Sequence, residues 1–176
     1  MDKRLEELLV TAGAFQFGEV PTDKIVFSPE VRKMCEADAC RRYGKAWSCP
    51  PALGTVEECM EKCMRFKTIC VFSVKHDLED SFDIEGMEEG MTRLNALAAE
   101  VNQKAGEIFP DYMLMANEGC EKCDKCTYPD EACRFPGEVH GSIEGYGIFV
   151  NKLAASAGIN YINGQNTVTY FGAILY

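Results

Sequence analysis

Ten cysteines in a chain of 176 residues constrain this protein more than any other feature of its sequence. They form two groups, the first spread over residues 35–70 and the second over residues 120–133. A chain of this length can bury a sizeable core without disulfide staples. Its first residues carry acids before any apolar run, which predicts no signal peptide and a reducing, cytoplasmic location where disulfides are rare. We therefore expect the cysteines to hold metal or to be reactive.

The charge balance excludes several classes of partner. The chain has 18 basic and 28 acidic residues, a net charge of −10, and no basic run, so nucleic acid and anionic membranes are unfavourable partners. No stretch approaches the roughly 18 apolar residues that a membrane span needs. With 47% apolar and 26% charged residues, the chain is predicted to be globular. We predict one metal-binding domain over residues 1–176, with cysteine loops at about 35–63 and 119–136.

Hydrophobic periodicity predicts an α/β fold in which a small sheet of three to five strands packs against helices. Apolar stripes at helical spacing and capping signals predict helices over 2–12, from 28 to about 36, over 55–66, 87–108 and 142–157. Runs rich in β-branched and aromatic residues predict strands over 25–27, 68–75, 112–116 and 168–175. The cysteine-rich loops are expected at the ends of these elements.

The second group carries the most specific pattern. Cys120, Cys123 and Cys126 follow one another with two residues between them, the spacing with which bacterial ferredoxins hold a [4Fe–4S] cluster. Cys133 is the expected fourth ligand of this cluster, although the gap also allows it to serve the first group. A zinc site of four cysteines, or of three with His140, is the alternative.

The first group is less diagnostic by spacing. We predict its ligands to be Cys35, Cys40, Cys49 and Cys59. Cys59 and Cys63 lie one helical turn apart on a largely apolar face, so Cys63 is expected in the core, as is Cys70 in its apolar strand. If neither Cys59 nor Cys63 is a ligand, the cluster keeps an open iron that could bind a substrate.

Residues that flank the cysteines are predicted to contact the cofactors. Tyr43 and Trp47 precede Cys49 and could shield a cluster from water, which would tune its potential. Both rings could instead anchor the loop to the core. Arg134 directly follows Cys133 and is predicted to contact the second cofactor.

These motifs resemble those of an uncharacterised family of small cysteine-rich proteins that are described as predicted metal-binding proteins and are frequent in anaerobes. The resemblance rests on the run from Tyr43-Gly44 through Trp47 to Cys49-Pro50-Pro51, and on the run from Cys120 to Pro136. It implies metal binding through the cysteines of both groups, with Cys59 at a position that is often cysteine in the family. His140-Gly141 and Phe149 depart from the family pattern, which is expected to have Arg-Pro and an acid there.

Three functions follow as expectations. The first is electron transfer to a redox partner protein by two [4Fe–4S] clusters. The second is an enzyme or activator in which one cluster has an open iron. The third is an interaction module stabilised by zinc.

Overall fold

The computed structural model describes residues 1–116, 120 and 122–176. Within these residues the chain forms five α-helices: α1 Lys3–Thr11, α2 Pro29–Glu36, α3 Val56–Met64, α4 Ile84–Ile108 and α5 Val150–Ser156. The same residues form four strands: β1 Gln16–Pro21, β2 Thr68–Asp77, β3 Met113–Met115 and β4 Thr167–Leu175. The predicted α/β class is confirmed.

The four strands form one sheet in the order β1-β2-β4-β3, and every neighbouring pair is antiparallel. The edge strand β1 was not expected from the sequence. β1 pairs with the edge of β2, in a register that places Gly18 opposite Val71. The strand predicted over 25–27 is wrong, because Phe27 makes no more than an isolated bridge to Ile148.

Each face of the sheet buries its own apolar cluster. One face packs against α1 and α4, with Phe72 of β2 and Leu94 of α4 fully buried there. The other face packs against α3 and α5, and its cluster includes Cys59, Cys63 and Leu153. Alternate residues of a strand point to opposite faces, which is why Cys70 and Val71 enter different clusters. Leu53, from the segment before α3, packs into the cluster of the α3–α5 face.

The long helix α4 begins at Ile84, earlier than the predicted residue 87. The Asp83 side chain accepts a hydrogen bond from the Gly86 amide at 2.9 Å and caps the helix. The acidic residue Glu85, which precedes the predicted helix, thus lies in its first turn. Neither α4 nor any other helix of the described residues is both long and apolar enough to cross a membrane.

The helix predicted over 142–157 is interrupted. A 3-10 turn, Glu144–Tyr146, ends at Gly147, which adopts a left-handed φ of 76°, and α5 starts afresh at Val150. A left-handed residue cannot continue a right-handed helix, and glycine adopts that conformation without steric cost. The break leaves Glu144 at the edge of a cysteine-lined cavity.

Candidate metal centre

Three cysteines of the first group line one cavity of about 210 Å³, which we call the first cavity. Cys35 comes from the last turn of α2, and Cys40 and Cys49 come from the irregular segment that follows it. The carboxylate-bearing residue Glu144 and the hydroxyl-bearing residue Ser142 line the same cavity. The chain thus brings together, over a long sequence separation, three sulfur donors and a potential oxygen donor.

Local hydrogen bonds shape the loop that carries Cys40 and Cys49. The Asp38 carboxylate accepts a hydrogen bond from the Tyr43 amide at 2.8 Å and pairs with Lys45 Nζ at 3.2 Å. These contacts hold the pKa of Asp38 below its ordinary value, the Tyr43 amide being the larger cause. Tyr43 lines the first cavity, and its shielding of a cofactor there stays a prediction.

Cys59, the predicted fourth ligand of the first group, lies apart from the first cavity. It is fully buried on α3, and its thiol donates to the Leu53 carbonyl at 3.5 Å. The guanidinium of Arg32 donates to the Cys59 sulfur at 3.3 Å and to the Gly54 carbonyl at 2.9 Å. Burial raises the pKa of the Cys59 thiol, although Arg32 opposes the shift. Ligation by Cys59 stays a prediction, and the described lining of the cavity does not include it.

Cys63 and Cys70 are buried in the two apolar clusters, where the sequence predicted them. Burial raises the pKa of Cys63 to about 12, and burial likewise raises the pKa of Cys70 to about 12. Both side chains therefore remain neutral thiols at physiological pH and behave as small apolar groups.

The cysteines of the second group line a second cavity, which is narrow, with a volume of about 20 Å³. All four sulfur-bearing residues contribute to its wall, namely Cys120, Cys123, Cys126 and Cys133. The Phe135 amide donates to the Cys133 sulfur at 3.3 Å, the kind of bond that also stabilises a ligating thiolate. Cys133 therefore sits with its own group rather than with the first.

Arg134 and Trp47, both predicted to contact a cofactor, lie at the second cavity. A hydrogen bond to Cys123 raises the pKa of the Arg134 guanidinium, so its charge faces this sulfur. The Trp47 indole donates to the Glu131 carbonyl at 3.1 Å. Its ring also packs edge to face on the Tyr128 ring, with 5.0 Å between the ring centroids. Trp47 thus anchors the second cysteine loop, whereas the sequence placed it beside the first.

A single buried side chain joins the two cavities. Ser48 is fully buried, and its hydroxyl accepts a hydrogen bond from the Cys120 amide at 2.9 Å. The same hydroxyl lies 3.8 Å from the Cys49 sulfur. Cys49 borders the first cavity and Cys120 borders the second, so the Ser48 hydroxyl contacts one wall residue of each.

A larger cavity of about 620 Å³ adjoins the second one through Cys120. Its wall includes side-chain amides of α4 together with Lys122, Glu138 and His140. Burial lowers the pKa of His140, and Lys122 adds to that effect. His140 lines this cavity together with Cys120, and its ligation beside three cysteines stays a prediction.

Comparison with known proteins identifies the family. The model of a family described as predicted metal-binding protein (DUF2284) matches residues 18–176. The chain belongs to this family. No curated protein and no solved structure matches the chain.

Metal binding is therefore predicted for the family, and the donor chemistry of both cavities fits a metal. Clustered thiolates are the ligands that zinc and iron–sulfur centres prefer, and they hold hard cations poorly. Within residues 1–116, 120 and 122–176, no three His, Cys, Asp or Glu side chains already stand around one point as metal ligands. Binding at either cavity thus requires the side chains to close around the metal, as is usual when binding and folding are coupled.

The sequence predicts no cofactor contact for two residues of this region, Ser48 and Glu144. Ser48 looks like an ordinary loop serine, and its role depends on a contact with the distant Cys120. Glu144 lay in a predicted helix, where it would be a solvated surface acid. The glycines on both sides of Glu144 were the available signal, because glycine is a poor helix former and commonly marks a break.

Proposed function

We propose that this metal-binding protein carries two [4Fe–4S] clusters, one in each cysteine-lined cavity, and passes single electrons to a redox partner protein. The observation that carries the proposal is the convergence of seven cysteines on two cavities that share the segment from Trp47 to Cys49. Cysteine thiolates are the standard ligands of such clusters. When bound, the clusters would supply one-electron chemistry.

The size of the first cavity supports a cofactor of several atoms. Its volume of about 210 Å³ exceeds by several-fold the roughly 30 Å³ that one water occupies in the liquid. A single zinc ion would leave much of that space open. Tyr43 lines one side of the cavity and would limit the access of water to a bound cofactor.

The short connection between the cavities supports electron transfer. Trp47, Ser48 and Cys49 are consecutive, and they reach from the wall of the second cavity to the wall of the first. An electron at one cofactor would therefore have a brief path through packed protein to the other. The net charge of −10 would favour a partner with a basic docking face.

A zinc-stabilised interaction module is a second candidate, and the size of the second cavity favours it. About 20 Å³ accommodates one ion, whereas a cluster there requires the cysteine loop to move outward. Four cysteine ligands are typical of structural zinc sites.

An enzyme or activator is a third candidate, and the 620 Å³ cavity beside Cys120 favours it. Its volume lies in the range of small-molecule binding sites. A substrate in this cavity would lie against a predicted metal ligand.

Metal analysis of protein purified without oxygen tests the proposal. We expect about eight iron and eight sulfide per chain, a brown colour and reduction by dithionite. Cys40→Ser and Cys123→Ser should each remove about half of the iron, because each removes a ligand of one group. Cys70→Ala is the matched control, since Cys70 lies in the core, and it should retain all the iron. Stoichiometric zinc in place of iron would overturn the proposal and support the interaction module.

A further inference from the structure

We propose that Arg32 supplies the buried positive charge that balances the metal centre at the first cavity, and that this charge raises the reduction potential of the cluster bound there. The inference rests on the proposed function and adds to it a residue that tunes one of the two clusters. Arginine on a short helix is normally solvated, so the sequence gives no sign of this role.

The protein buries the Arg32 cation without an anionic partner. The residue lies on α2, and 8% of its surface is exposed. Two of its nitrogens donate to groups without formal charge, one to the Gly54 carbonyl at 2.9 Å and one to the Cys59 thiol sulfur at 3.3 Å. Its Nε atom is buried and has no hydrogen-bond partner among the described residues. A buried arginine is normally paired with an anion, so a negative group is expected to bind near Arg32.

No carboxylate fills this role in the part of the chain that the structure describes. None of the ion pairs there includes Arg32. Glu57 of α3 is exposed, and its pKa is lowered chiefly by its own backbone amide and by Thr55, with Arg32 the weakest cause. The cation is therefore left for an anion that the chain itself does not provide as a carboxylate.

Arg32 lies between the segments that carry Cys35 and Cys49, which both line the first cavity. Cys35 follows Arg32 by three residues on α2, and residues at this spacing are neighbours on the surface of a helix. On its other side, Arg32 holds the carbonyl of Gly54, at the end of the turn that follows Cys49. The Ala52 amide closes that turn by donating to the Cys49 carbonyl at 3.0 Å. The guanidinium thus ties the helix of one predicted ligand to the turn after another.

A thiolate-bound cluster would provide the negative charge. Such a cluster is anionic, and its reduction by one electron, with dithionite as the donor, makes its charge more negative by one unit. A nearby buried cation stabilises the reduced form more than the oxidised form, because charges interact more strongly in the protein interior than in water. Arg32 should therefore raise the reduction potential of the first cluster.

The second cavity has a different electrostatic environment. Arg134, which lines it, is exposed, so water and salt screen its charge. Burial of the cation is thus the feature that sets the first cavity apart, and it is the feature that a test has to isolate.

A potentiometric titration of the first cluster tests the inference. A Cys123→Ser background leaves the first cluster in place, and EPR follows its reduction by dithionite in the absence of oxygen. Arg32→Gln removes the charge, and we expect about a tenfold lower equilibrium constant for reduction, which is a shift of about 59 mV toward negative potentials. Arg32→Lys keeps the charge, and its potential should stay closer to that of the parent protein. Circular dichroism verifies that each variant folds.

Lys33→Gln is the matched control, because Lys33 carries the same charge on the next residue of α2 but is exposed. Screening by water should reduce its shift to a small fraction of the shift in Arg32→Gln. Equal shifts in these two variants, or no shift in Arg32→Gln, would overturn the inference. Equal shifts in Arg32→Gln and Arg32→Lys would also refute it, since they would assign the effect to lost hydrogen bonds and not to charge.

Iron content gives a second readout if Arg32→Gln does not assemble the first cluster. Iron restored in Arg32→Lys would then support the inference, because the two variants differ in charge. Loss of the cluster from both variants would mean that Arg32 has a purely structural role, contrary to the inference, while the proposed function stands. Absence of iron from the wild-type protein would instead overturn the proposed function itself.

Discussion

The Ser48 hydroxyl accepts a hydrogen bond from the Cys120 backbone amide at 2.9 Å, and this bond ties the two cysteine-rich loops together. Ser48 is fully buried, so water cannot replace the bond without local opening. Its neighbours in the chain reach both cavities, Trp47 the second and Cys49 the first. A substitution of Ser48 should therefore affect the loops that line both cavities.

Ser48→Ala should destabilise the protein by about 1–3 kcal/mol, because it leaves the Cys120 amide without its acceptor. We expect a lower urea midpoint for the metal-free protein and faster loss of metal from the second cavity to a chelator. Ser156→Ala at the exposed end of α5 is the matched control and should change neither quantity. Unchanged stability and unchanged release in Ser48→Ala would show that the bond does not couple the loops.

Sequence reasoning succeeded where the determining contacts are local. Thr55 and Glu58 have the residue types and the spacing of a capping box, and they form one, with the Glu58 carboxylate accepting from the Thr55 amide at 2.7 Å. Strand β2 was predicted because its β-branched and aromatic residues suit a buried central position. Both signals lie within a few residues of the feature that they specify, so no knowledge of the fold was needed.

The missed features depend on contacts between distant parts of the chain. Strand β1 has a mixed composition, and it exists because the edge of β2 offers hydrogen-bond partners. The position of Glu144 depends on a left-handed Gly147 and on packing against Leu53. The second cysteine group was predictable because the spacing of its cysteines is itself typical of a metal site. The wall of the first cavity is assembled from three separate segments, so no local spacing predicts it.

Gly18 of β1 gives a sharp test of the packing of the edge strand. A Cβ atom at this position would lie 2.1 Å from the backbone carbonyl oxygen of Ala157, which cannot move aside as a side chain could. Gly18→Ala should lower the free energy of unfolding by about 1–3 kcal/mol, as measured by urea denaturation. Gly137→Ala, where nothing lies within 4 Å of the added atom, should be nearly neutral. A neutral Gly18→Ala would contradict the close approach of β1 to the end of α5.

The buried thiols predict a loss of stability in alkali. Burial raises the pKa of Cys63 and of Cys70 to about 12, while thiols of the unfolded chain titrate near pH 8.5. The unfolded state therefore releases protons first, and the free energy of unfolding falls as the pH rises from about 8.5 toward 12. Urea denaturation of the metal-free protein should show the onset of this loss between about pH 7.5 and pH 9.5.

The variant with both Cys63→Ala and Cys70→Ala should show a smaller fractional loss over the same pH range, because it lacks the two thiols whose pKa burial raises to about 12. Each alanine leaves a small cavity, so the comparison is made on the slope with pH and not on the absolute stability. An equal slope in the two proteins would assign the pH dependence to other groups.

Trp47 is the only tryptophan of the chain and lies in the wall of the second cavity, so its fluorescence should respond most strongly to that site. Its indole is fixed by the Glu131 carbonyl and the Tyr128 ring, which keeps it beside the cysteines. Anaerobic reconstitution with iron and sulfide should quench the emission several-fold, since iron–sulfur centres absorb light and accept excitation energy at short range. Zinc, which has no d-electron transitions, should change the emission far less. Cys123→Ser should remove more of the quenching than Cys40→Ser does; the reverse order would place Trp47 nearer the first cavity.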